Sequence, residues 1–132
     1  MRRLLGWVLF FQMARVVSAG LGEDGDQIED AYGGPKSRRL RDDGTVAVIY
    51  QKDRYLYQVV FERGVSVSEE YSRLDGADLS EKEITKFLKK NGGPKMPWSR
   101  TDTAAEGRRF ERGDHLAEGV ATRTSLKVRR KK

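Results

Sequence analysis

Three consecutive stretches of the chain alternate between apolar and polar positions with a period of two. In Thr45–Tyr50, Val46, Val48 and Tyr50 fall on one side. In Tyr55–Glu62, Tyr55, Tyr57, Val59 and Phe61 share one face, and Leu56, Gln58, Val60 and Glu62 share the other. In Val65–Arg73, Val65, Val67 and Tyr71 oppose Ser66, Ser68, Glu70 and Ser72. Alternation with aromatic and β-branched enrichment predicts strands. Asp42-Asp43-Gly44, Lys52-Asp53-Arg54 and Arg63-Gly64 supply the turns, so an antiparallel meander with one apolar face is expected.

Two stretches carry the helical period instead. Ile28, Ala31 and Tyr32 line one side of Asp24–Tyr32, where Asp24 and Gln27 have capping-box spacing and Gly33-Gly34-Pro35 ends the turn. The second helix opens on the capping box Ser80-Glu81-Lys82-Glu83 and presents Ile84, Phe87 and Leu88 at i, i+3, i+4. Lys89 and Lys90 suit its negative C-terminal end, and Asn91-Gly92-Gly93-Pro94 stops it. Its apolar stripe is expected to cover the apolar face of the sheet. Beyond Pro94 the pattern weakens. Ala104–Glu111 and His115–Thr122 read as two weak strands around a polar Arg112-Gly113-Asp114 turn, and no internal repeat is visible. The expected fold is α+β: a small antiparallel sheet of three to five strands packed against one or two short helices.

The chain's start has a different texture. Met1-Arg2-Arg3 is basic, Leu4 to Ala14 is mostly apolar, and Val17-Ser18-Ala19 places small residues ahead of Gly20. That order is the secretory signal pattern, so a signal peptide is expected, with cleavage between Ala19 and Gly20. The apolar run is interrupted by Arg15 and falls short of the ~20 residues of a spanning helix. No transmembrane span is therefore expected in the mature chain, which is expected to be secreted or periplasmic. The predicted organisation is a leader over 1–19, one α+β domain over 20–122 and a disordered basic tail over 123–132.

Charge follows the same division. The 132 residues hold 26 Lys+Arg and 20 Asp+Glu. Residues 1–19 and 121–132 contain basic residues and no acid, whereas 20–120 holds 17 basic and 20 acidic residues, a net of −3. A mildly acidic body with basic ends argues against an evenly basic nucleic-acid domain. The tail bases Lys127, Arg129, Arg130, Lys131 and Lys132 are candidates for weak, salt-sensitive contact with an anionic polymer.

Candidate chemistry is sparse. The chain has no Cys and one His, so thiolate chemistry and a multi-histidine metal site are excluded. His115 has no nucleophile motif beside it, and the acids from Glu23 to Asp30 lack the glycine and spacing of a calcium loop. The two Gly-Gly-Pro runs match no phosphate loop. Neither catalytic nor metal residues are assigned, and no cofactor is expected. Trp98 is kept as a candidate binding residue, with packing over the second helix as its plainer role.

Taken together, the leader, Tyr32-Gly33-Gly34-Pro35, Tyr50-Gln51-Lys52, Val60-Phe61-Glu62-Arg63-Gly64, Leu79–Ile84, Leu88–Gly92, and Trp98 with Asp102 form a pattern over residues 21–122. This pattern resembles a group of small secreted bacterial proteins that carry no assigned activity. More distantly, the helix, Gly-Pro stop and meander resemble the small outer-membrane-assembly lipoproteins (SmpA/OmlA type) and the β-lactamase-inhibitor fold. The chain departs from the former in having no lipidated Cys, and from the latter in having no disulfides or tandem repeat. The resemblance implies export, an α+β domain and a binding role, and brings no catalytic residues. The expected function is a non-enzymatic binding or envelope-associated module, its partner an unknown protein or envelope component. A small hydrolase using scattered acids or His115, and a binder of anionic polymer or nucleic acid through the tail, are the alternatives.

Overall fold

A computed structural model describes residues 20–93, 95–101 and 107–131. The leader expected over 1–19 lies outside the described residues. Among these residues two helices, α1 (Gly25–Tyr32) and α2 (Glu81–Lys90), accompany eight strands. These are β1 (Ser37–Leu40), β2 (Val46–Lys52), β3 (Tyr55–Glu62), β4 (Val65–Arg73), β5 (Trp98–Arg100), β6 (Arg108–Arg112), β7 (Ala117–Ala121) and β8 (Ser125–Arg130). All eight belong to one antiparallel sheet in the order β1-β2-β3-β4-β8-β7-β6-β5.

The sheet is thus larger than the three to five strands expected from the alternation alone. The residues expected to form a disordered basic tail instead supply β8 at its centre. Leu126 and Val128 of β8 are fully buried, alternating with exposed Lys127 and Arg129. The charge of that segment hid its period of two. β1 and β5 were missed for another reason: both are short edge strands without a buried residue.

The helix starts follow the local hydrogen bonds their sequences offer. The Asp24 side chain accepts from the Gln27 N–H and the Gln27 side chain from the Asp24 N–H, while Ser80 and Glu83 do the same for α2. Both helices lie on one face of the sheet. The Tyr32 ring of α1 stacks on Tyr57 with centroids 3.9 Å apart. Phe87 of α2 stacks on Tyr71 at 4.5 Å and meets the edge of Tyr55 at 5.1 Å. Tyr50, Tyr55, Tyr57, Phe61 and Tyr71 are all buried with Ile28, Ile84 and Leu88 in one core. Leu88 reaches past the seam between halves: a Cβ on Gly119 of β7 would stand 3.4 Å from its Cδ2.

The topology repeats although the sequence does not. Each half is a helix followed by a four-strand meander, and each meander ends at the middle of the sheet, where β4 pairs antiparallel with β8. A half-turn about an axis normal to the sheet at that seam exchanges the two strand orders.

Candidate functional site

The most concentrated polar chemistry is buried beneath the helices. β4 carries a register shift opposite Val60/Phe61, after which Ser66 pairs with Phe61 and joins Glu69 and Tyr71 on the helix-covered face. Strict alternation had placed Ser66 on the wetter face; the bulge turns it inward. Glu69 is completely buried and accepts from Ser66 Oγ and Tyr71 Oη, both at 2.8 Å. Asn91, just past α2, donates from Nδ2 to Tyr71 Oη at 2.8 Å and to the Phe87 carbonyl at 2.9 Å. Its Oδ1 accepts from the Leu21 N–H at 2.8 Å. The segment Gly20–Asp24 is further laced to β4 by Gly22 N–H to the Ser66 carbonyl and Ser66 N–H to the Glu23 carbonyl, both at 2.9 Å.

Burial sets the electrostatics here. Desolvation lifts the Glu69 carboxyl to about 6, against the two hydroxyl donors and Lys90, which oppose the rise. Desolvation also drives the Lys90 ammonium down to about 8, with Lys86 adding to the effect. Its Nζ lies 4.8 Å from the Tyr32 ring centroid and 5.0 Å from that of Tyr57. Burial raises the Tyr57 phenol to about 12. Every member of this network is engaged internally, and Glu69 is sealed from solvent, so the cluster holds the fold together rather than presenting a reacting group. Alternation contained the cue that sequence reasoning passed over: Glu69 stands two residues before Tyr71 and so shares its face.

The residues singled out from sequence do not converge. Trp98 lies in β5 and packs against the core, half-buried. Its Nε1–H is buried without a hydrogen-bond partner among the described residues. His115 occupies the exposed β6–β7 turn at φ 64°, its Nδ1 2.9 Å from Glu111 Oε1. Lys127 of β8 stands opposite Glu70 of β4. Arg129 meets Glu118 at 3.3 Å and Arg130 meets Glu62 at 3.8 Å, while Lys131 pairs with Glu111. Lys132 and Ala19 lie outside the described residues. Gly20 is buried, and a Cβ there would stand 2.4 Å from the Lys90 carbonyl oxygen. That contact explains why glycine fits the position.

Among the described residues, no helix covers the face of the sheet opposite α1 and α2. One cross-strand row on this face runs Ser37, Ile49, Gln58, Glu70, Lys127, Val120 and Arg109. A second runs from Arg39 through Ala47, Val60, Ser68, Arg129 and Glu118 to Glu111. Apolar and charged groups therefore alternate across a broad surface. Beside α1, a groove of about 440 Å³ is lined by Val46, Val48 and Phe61 together with Asp26, Glu29, Arg38 and Arg63. Among the described residues, no three His, Asp or Glu side chains gather to hold a metal, and no helix is long and apolar enough to cross a membrane. Comparison with known families, curated proteins and solved structures gives no match.

Proposed function

We propose that the protein is an exported, non-enzymatic binding module acting in the periplasm or outside the cell. The observation that carries the reading is the uncovered face of the sheet. It spans the strands from β1 to β6 and mixes the half-buried Ile49 and Val120 with both signs of charge. One face of the sheet is spent on the two helices, and the other, uncovered among the described residues, is offered to a partner of the envelope or its surroundings. The N-terminal pattern, basic and then apolar and ending at Val17-Ser18-Ala19, supports export. The hydrolase alternative loses support, because His115 is exposed in a turn and held by Glu111, with Glu69 sealed in the core. The tail alternative loses its loose arm, because Lys127, Arg129 and Arg130 belong to β8.

Photo-crosslinking in cells that export the protein tests the reading. A photoreactive residue at Gln58, on the uncovered face, is expected to trap a partner, whereas one at exposed Lys82 of α2 is not. Mature protein is expected to begin at Gly20. Equal labelling from both positions, or a mature chain that still begins at Met1, would overturn the corresponding half of the proposal.

A further inference from the structure

We infer that the free edge of β1 is a docking site for an acidic, extended peptide segment of another protein, which joins the sheet there as a ninth strand. β1 is an outer strand, and all four of its residues are exposed. The Arg41 N–H donates to the Thr45 carbonyl, so Arg41, Arg39 and Ser37 turn their main-chain groups toward β2. The intervening residues, Arg38 and Leu40, then direct their N–H and C=O outward, as antiparallel pairing requires. Leu40 is 74% exposed, which adds an apolar contact beside these groups.

Charge selects the occupant. Lys36, Arg38, Arg39 and Arg41 lie within six residues, and no acid interrupts them until Asp42. None of the four forms an ion pair among the described residues. Elsewhere, Arg73, Arg108, Arg112, Arg123, Arg129 and Arg130 each meet a carboxylate. Charged side chains on an edge also deter pairing between identical strands, because two copies would bring like charges together. An acidic strand removes that repulsion and replaces it with attraction, while using the same outward N–H and C=O groups. Arg39 and Arg38 project to opposite faces, so acids on either face of the incoming strand find a cation. The edge is distinct from the uncovered face, and its failure leaves the Gln58 crosslinking result standing.

The test is a titration of the full chain, followed by NMR, with a blocked heptapeptide alternating glutamate and valine; its lysine counterpart is the control. The glutamate peptide is expected to bind, to protect the Arg38 and Leu40 amides from exchange, and to weaken as salt is raised. Leu40→Pro removes one outward donor at an edge position that tolerates proline. It is expected to weaken binding roughly threefold to tenfold. Arg39→Glu/Arg41→Glu keeps the main-chain edge and is expected to weaken binding about tenfold or more, so the charge claim stays testable even if the proline variant unfolds. Equal binding of both peptides would overturn the inference. So would glutamate-peptide binding that, like that of heparin, is undiminished in Leu40→Pro, which would mark a polyanion surface. Dimerisation of the chain through this edge, seen by sedimentation and lost in Leu40→Pro, would assign the edge to a second copy and overturn it too.

Discussion

Glu69 carries a carboxyl group into a part of the molecule that water does not reach. Burial raises it from 4.5 to about 6 in the folded state. The raised value means that the folded state prefers the protonated form. Below pH 4.5 folded and unfolded chains both hold the proton, and its stabilising effect is fully present. As pH rises from 4.5 to 6 the unfolded chain gives up its proton first, and stability falls by about 2 kcal/mol before levelling off. Urea unfolding at a series of pH values, compared with Glu69→Gln, is expected to show this difference opening between pH 4.5 and 6. A gap independent of pH would exclude Glu69 as its source. Lys90 works in the opposite sense: its ammonium is depressed to about 8, so folding is disfavoured as pH falls from 10.5 toward 8. At this scale the sequence was partly legible. The tyrosines of the core followed from alternation, but Ser66 reached the core only through a bulge, which depends on the pairing of β4 with β3 rather than on either strand alone.

The elements separate by where their stabilisation comes from. Both helices were legible to within a residue because their capping boxes are closed by side chains three positions apart. β2, β3 and β4 were legible because each presents its own apolar stripe to the helices. β1 is held by main-chain pairing with a neighbour, and β5 by such pairing together with Trp98, and nothing in Ser37–Leu40 or Trp98–Arg100 shows that pairing alone. α2 packs through Phe87, which touches the rings of Tyr55, Tyr57 and Tyr71. Phe87→Ala is expected to cost about 4 kcal/mol, read as a lower urea midpoint with an unchanged slope. Ser80→Ala removes only a cap and is expected to cost about 1 kcal/mol. A larger loss from the cap than from the ring would contradict this ranking.

For the whole molecule, the decisive feature is the seam at which β8 joins the two meanders. Read as a tail, residues 123–132 are dispensable; yet Ser125–Arg130 form β8, which fills the space between β4 and β7 and buries Leu126 and Val128. Removal of Ser125–Lys132 is expected to abolish cooperative unfolding, followed by circular dichroism in urea, whereas removal of Lys131 and Lys132 alone is expected to keep it. A truncation at Thr124 that unfolds cooperatively, with an unchanged midpoint, would refute this. The candidate surface was the least legible part of the sequence. The uncovered face and the basic edge exist only once eight strands are in register, and five of those strands (β1, β5, β6, β7 and β8) come from stretches with a weak, absent or hidden periodicity. The position of β8 has a further consequence for how the protein is made. The strand that completes the middle of the sheet is the last of the eight to leave the ribosome, and it must find β4 across about fifty residues of intervening chain. Until then β4 waits with one side unpaired, so assembly is slow to finish, and a chaperone has the greatest opportunity to act in that interval.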